Sequence, residues 1–219
     1  MKHKIREFGI EDADHYWKDR KDSGRVAEKR IHHFIKELVD TVTNSDSTAK
    51  ILICGVGDGH EYRLCAENYQ TWGVEMSQYA IDQYEFNNDT IVNADLNNGI
   101  PEFNENFDGI VVSMVLHWLD DPESFLKESK VKLTEHGKLI IVIPNITHYR
   151  YRLGFLAGHF PPISASHKNF QTPAEMEDMF NKAGYDIEKR AAVKPVLKAR
   201  LYPTLFATEI GYILKPSNA

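Results

Sequence analysis

Cysteine is nearly absent from this chain: its 219 residues include two, Cys54 and Cys65. Two thiols build neither a disulfide framework nor a multi-cysteine metal site, so a reducing cytoplasm is the expected compartment. Long apolar runs are missing as well. The most apolar stretch, Ile110 to Leu119, is far too short to span a bilayer and contains His117, so no membrane partner is expected. The charged opening from Met1 to Asp14 offers no apolar core for a signal peptide. An excess of positive charge is lacking too, and the net charge of −6 argues against a nucleic-acid partner. The histidines show no metal-ligand spacing, so no metal is expected.

What is present is ordinary globular material. Hydrophobic residues make up 42% and aromatics 11%, enough for one well-packed domain and too little for two. The charge is uneven. Residues 1–145 carry 16 Lys+Arg against 26 Asp+Glu, whereas residues 146–219 carry 10 against 6, so the balance turns from −10 to +4.

Residues 1–24 read as a polar N-terminal segment without regular structure, with His15-Tyr16-Trp17 its aromatic cluster. From Arg25 to Val42, Ile31, Phe34, Ile35, Leu38, Val39 and Val42 recur at spacings of three and four, one face of a helix. Strands are expected at Lys50–Cys54, Thr71–Glu75, Thr90–Asn93, Phe107–Met114 and Lys138–Ile143, with helices at His60–Asn68 and Ser77–Phe86. Asp121-Pro122 is an N-cap followed by proline, opening a helix to about Leu133 that His136-Gly137 ends. Thr172-Pro173-Ala174-Glu175 is a capping box whose helix Gly184 closes, and two late strands follow near Asp186–Val193 and Leu205–Leu214. This alternation predicts an α/β fold: one Rossmann-like domain over residues 25–219, its doubly wound, mainly parallel sheet covered by helices on both faces. Ligands in such sheets lie beyond the carboxyl ends of the strands, so the strand ends at Cys54 and Ser113 should be neighbours.

The unusual residues fall at those ends. Gly55-x-Gly57-x-Gly59 follows the first strand directly, where a tight turn and a ligand lying against the backbone require glycine. Glu75 ends the next strand, 20 residues beyond Gly55, where an acid can accept from both hydroxyls of a ribose. Asp95 follows the third strand and can receive an exocyclic amine. A nicotinamide dinucleotide would want its third glycine one residue later, and Asp58 would face its pyrophosphate. A sulfonium ligand without phosphate tolerates that acid.

These segments, Ile51 to Gly59, Trp72 to Glu75, Asn93 to Asp95, Phe107 to Ile110 and Leu133 to Asn145, resemble the ordered motifs of class I methyltransferases over about Tyr16 to Gly184. Ile143-Pro-Asn145 through Arg152 is similar to the MetW-type subgroup, and His167 to Gly184 to the small-molecule branch. The resemblance implies S-adenosylmethionine as cofactor. Gly55, Gly57 and Gly59 would hold its methionine portion, and Glu75 with Met76 its ribose. Asp95 with Leu96 would take the adenine, and Ser113 with Met114 the adenine and methyl end. One departure is Ile53, where the family usually carries an acid that anchors the amino-acid end.

Methyl transfer to an alcohol needs an aligned acceptor and a base. His117, just past the fourth strand, and His148 are the candidate bases. Residues 146–172 read as a substrate-capping insertion. Arg150, Arg152, Tyr16 and His167 are its candidate substrate contacts, since arginine's fork suits carboxylate and phosphate. The expected function is methyl transfer to an oxygen of a small, anionic metabolite. The alternative is a non-catalytic, cofactor-binding accessory protein of MetW type. The acceptor is a small molecule, and the oligomeric state stays open, a homodimer being one option.

Overall fold

Among the described residues seven strands carry the fold: β1 (Lys50–Cys54), β2 (Gln70–Glu75), β3 (Ile91–Asn93), β4 (Phe107–Ser113), β5 (Leu133–Pro144), β6 (Tyr185–Ala192) and β7 (Glu209–Pro216). They form one sheet in the order β3-β2-β1-β4-β5-β7-β6. The first five are parallel, while β7 runs antiparallel to both β5 and β6. The computed structural model describes residues 10–22, 30–83, 90–159, 168–169, 171–193 and 197–217. Cys54 pairs with Val112, so the ends of β1 and β4 are neighbours, as the switch-point argument requires.

Side chains alternate along each strand, and both faces are apolar because helices cover both. Ile51, Ile53, Val111, Ile140 and Val142 pack with Ile35, Leu38 and Val39 of α2 (Arg30–Thr43) and with Tyr62 and Cys65 of α3 (His60–Ala66). Leu52, Cys54, Ile110, Val112 and Leu139 pack with Phe125 and Leu126 of α5 (Pro122–Val131) and with Met176 and Phe180 of α7 (Pro173–Lys182). Each such fully buried side chain contributes about 1.5–3 kcal/mol. Asp121 caps α5 through Ser124 N–H, and Thr172 with Glu175 forms the reciprocal box at α7, caps of about 1 kcal/mol each. Among the described residues no helix is long and apolar enough to cross a membrane.

Three expectations need correction. The N-terminal segment is not irregular: α1 spans Ile10–Asp22. Its Asp14 carboxylate accepts from Ser77 Oγ at 2.6 Å and from Tyr79 N–H at 3.0 Å, which fastens the helix to the start of α4 (Gln78–Gln83). Second, His136-Gly137 does not end a helix but lies inside β5, at the register shift opposite Phe107 and Gly109. A Cβ on Gly137 would sit 2.5 Å from the Phe107 carbonyl oxygen, so that glycine serves a close backbone approach. Third, Leu205 belongs to a short helix, α9 (Pro203–Phe206), which follows α8 (Leu197–Leu201). The buried Asn145 amide donates to the carbonyls of Thr204 and Ala207 at 3.0 and 2.8 Å and holds this turn out of the strand. The predicted helical residues 25–29 and 84–86 lie outside the described residues.

Candidate active site

Beyond β1 the chain turns through Gly55, Gly57 and Gly59, whose φ angles are +83°, +55° and +75°. Gly55 and Val56 N–H both donate to the Val74 carbonyl, at 2.8 and 3.2 Å, folding the loop over the end of β2. There Glu75 is buried, and its two oxygens accept separately: one from Gly57 N–H at 2.8 Å, the other from Ser77 N–H at 2.9 Å. One carboxylate thus staples the glycine loop to the start of α4. Burial raises its pKa, against the opposing pull of the backbone N–H groups of Ser77, Gly57 and Met76. Each oxygen keeps an acceptor site, so the staple can also receive ribose hydroxyls.

A cavity of about 330 Å³ opens over these strand ends. Gly55, Gly57, Glu75, Met76, Asp95, Leu96, Ser113, Met114 and Tyr16 all line it, so the structure brings together most of the predicted cofactor residues. Gly59 instead caps α3 in a left-handed conformation. Asp95 Oδ1 accepts from Asn97 N–H at 2.9 Å and from its side-chain amide at 3.0 Å, which leaves Oδ2 for an amine. Met114, with φ of +56°, holds a conformation that non-glycine residues rarely adopt, and strain of this kind collects at functional sites. The volume lies in the range of small-molecule sites, and four carboxylates, those of Asp58, Glu61, Glu75 and Asp95, suit a ligand that carries positive charge and hydroxyls.

Several wall residues were not foreseen. Ala13, Trp17 and Arg20 of α1 line the cavity beside the predicted Tyr16, and the i, i+3, i+4, i+7 spacing of the four was the available signal. Trp17 closes over the glycine loop, its ring only 2.6 Å from where a Gly57 Cβ would stand. Arg20 lies over the Tyr16 and Trp17 rings at 5.4 and 5.6 Å. His32 of α2 is buried on the wall and stacks on His60 at 4.9 Å. Glu61 of α3 accepts from Ser113 Oγ at 2.9 Å, and burial, with Asp58 nearby, pushes its carboxyl up to about 8. No period marks His32 or Glu61 in the sequence.

Of the predicted catalytic and substrate groups, Tyr16 lines the cavity, while His117, His148, Arg150 and Arg152 fall elsewhere. His117 is buried but absent from the cavity wall, while its neighbours Val115 and Trp118 are on it. Its carbonyl accepts from Lys168 and Asn169 N–H at 3.1 and 3.0 Å, a loop-anchoring role. His148 caps α6 (Tyr149–Leu156), its Nδ1 accepting from Arg150 N–H at 3.3 Å. Burial, with Arg150 adjacent, lowers its pKa and favours the neutral imidazole. His148 and Arg150 line a separate hollow of about 470 Å³ with Tyr149, Lys198, Phe206 and Thr208. Arg152 is exposed and donates to the Thr147 carbonyl at 2.7 Å. His167 lies outside the described residues. Among the described residues no group of three or more metal-ligating side chains gathers.

Solved structures share this fold. An S-adenosylmethionine-dependent methyltransferase from Clostridium acetobutylicum superposes with a TM-score of 0.64 at 17% identity, covering 93% of this chain and 97% of that one. A SAM-dependent methyltransferase from Archaeoglobus fulgidus gives 0.63 at 18% identity, covering 92% and 100%. A Haloferax volcanii complex of the Trm112 methyltransferase activator with a putative methyltransferase gives 0.64 at 12% identity, covering 94% and 98%. No curated protein matches the sequence. S-adenosylmethionine is accordingly the cofactor to expect. The methyltransferase-domain profile matches residues 18–190, most of the chain, and the chain belongs to that family.

Proposed function

We propose that the cavity binds S-adenosylmethionine and that its methyl group passes to an oxygen of a small, anionic metabolite. The observation that carries this reading is Glu75, buried at the end of β2 and joined to the glycine loop by one oxygen and to α4 by the other. That carboxylate receives the ribose hydroxyls, and Asp95, one strand further, receives the adenine amine. The cofactor supplies the electrophilic methyl group, so the chain's task is alignment, water exclusion and proton removal. Tyr16 and Trp17 cover the loop from α1. His32 takes the place first given to His117, as the imidazole on the cavity wall positioned to accept an alcohol proton. The cover over the acceptor is assigned to residues 146–172, of which 160–167 and 170 lie outside the described residues. The basic lining of the second hollow, Arg150 with Lys198, supports a negatively charged acceptor.

Incubation with S-adenosylmethionine and a panel of phosphorylated and carboxylated alcohols tests this by the S-adenosylhomocysteine released. Acceptor-dependent release that Glu75→Ala abolishes is the expected result. A second reading, cofactor binding without turnover, is favoured by Ile53, which is fully buried among apolar side chains in place of an acid. Tight cofactor binding with no release on any acceptor would select it.

A further inference from the structure

Ile53 leaves the end of β1 without a carboxylate, yet one stands close by on another element. Ile53 and Val111 are register partners on β1 and β4, and Ser113 lies two residues beyond Val111, on the same face of the sheet. Its hydroxyl donates to Glu61, which reaches the cavity from the first turn of α3. The sheet order then decides which part of a ligand Glu61 meets. Asp95 follows β3, Glu75 ends β2, the glycine loop follows β1 and Ser113 ends β4, in the spatial order β3-β2-β1-β4. A nucleoside whose amine lies at Asp95 and whose ribose lies at Glu75 extends its remaining chain over the glycine loop toward Ser113 and Glu61. In S-adenosylmethionine that remaining chain ends in an amino acid.

We propose that Glu61 is the carboxylate that receives the ammonium group of the cofactor's amino-acid end, standing in for the acid absent at Ile53. This rests on the cavity being the S-adenosylmethionine site. The groups around Glu61 leave it short of positive charge. Ser113 from β4 is neutral, Asp58 from the glycine loop is an acid that opposes its ionisation, and Cys65, one turn along α3, is a buried thiol. Across the cavity stand Glu75 from β2 and Asp95 after β3, while His32 from α2 and Arg20 from α1 are the basic side chains on the wall. An incoming ammonium supplies a full charge next to a carboxyl held near 8, and the ion pair requires that carboxyl to give up its proton. Cofactor binding at neutral pH therefore releases a proton. Affinity should rise by about tenfold per pH unit between pH 6 and 7.5, where the free carboxyl is protonated and the bound one is not.

The test is calorimetry of S-adenosylhomocysteine, which keeps the amino-acid end, and of methylthioadenosine, which lacks it, against the wild type and Glu61→Gln. Glutamine can still accept from Ser113, so circular dichroism and melting should show the variant folded. The expected result for the wild type is proton release, read from buffers of different ionisation enthalpy, with the rising pH profile. In Glu61→Gln both should vanish, with affinity for S-adenosylhomocysteine at pH 7.5 reduced about 10- to 100-fold, while methylthioadenosine binds both proteins equally. Equal affinity and an unchanged pH slope in the variant would overturn the role of Glu61 alone. Failure of the wild type to bind either ligand would overturn the cofactor reading beneath it.

Discussion

The cavity at the strand ends and the hollow beside α6 are lined by opposite charges. The first presents the acids Asp58, Glu75 and Asp95 together with the carboxyl of Glu61, and among the described residues Arg20 is the one Lys or Arg on its wall. The second presents Arg150 and Lys198 with His148, and among the described residues no acid lines it. The change of charge from −10 to +4 along the chain is thus built into two concave surfaces and is more than a property of the solvated exterior. The two also differ in how their charges are held. Glu75 is fixed by two backbone N–H groups, whereas Arg150 is exposed and donates through Nε to the neighbouring Tyr149 hydroxyl at 3.2 Å. Buried, braced acids suit a ligand that always arrives in one pose, and an exposed arginine suits a group that arrives and leaves with each turnover.

Removing the brace should have the largest effect. Glu75→Ala deletes the proposed ribose acceptor and frees the N–H groups of Gly57 and Ser77 together, so calorimetry should show cofactor affinity lost by about 3 kcal/mol or more. Affinity within twofold of the wild type would show that the acidic cavity is not the cofactor site. A smaller loss is expected from the lid. Trp17→Ala removes the ring that covers Gly57, and an S-adenosylhomocysteine titration should weaken by about 1–2 kcal/mol with the melting temperature little changed. An unchanged titration would make α1 a bystander to the cavity.

The sequence made the acidic half legible and the basic half obscure, for a physical reason. Parallel strands buried on both faces write themselves as apolar runs, and glycines and acids at their ends mark the switch point, so Gly55, Glu75, Asp95 and Ser113 were located by position alone. Those four meet at one cavity. Residues whose role depends on a distant element carried no such mark. Glu61 and His32 reach the cavity from α3 and α2, and His117 is buried off its wall, its carbonyl anchoring Lys168 and Asn169. The course of α1 was concealed by its charged composition, although Ala13, Tyr16, Trp17 and Arg20 repeat at helical spacing. In β5 a glycine needed for close approach to Phe107 mimicked a helix stop.

The stability of the acidic cavity should itself depend on pH through Glu61. The Glu61 carboxyl stands near 8 in the folded chain against an ordinary value of 4.5, so between those values the native state holds a proton that the unfolded chain releases. Wild-type stability therefore declines as pH rises through this window. Glu61→Gln does not titrate, so without cofactor it should melt several degrees above the wild type at pH 8 and level with it near pH 4.5. Melting curves that stay parallel across the window would mean that the cavity already neutralises this acid.

The smallest effect belongs to the basic hollow. Arg150 is exposed and solvent screens it, so its contribution to an anionic acceptor should be about 1 kcal/mol, roughly fivefold in kcat/KM. The location of the loss is more informative than its size. Arg150 is absent from the wall of the cofactor cavity, so Arg150→Ala should leave S-adenosylhomocysteine affinity unchanged. If the arginine holds the acceptor's anionic group and through it aligns the reacting oxygen, kcat should fall along with the rise in KM, because remote binding energy then contributes to the transition state. A rise in KM alone would assign Arg150 to capture without alignment. Adding Lys198→Ala should deepen the loss if both cations contact the same anion, and the coupling between them reads directly whether the hollow is one site. Full activity of the double variant on an anionic acceptor would remove the hollow from the reaction and return the late positive charge to a solvated surface.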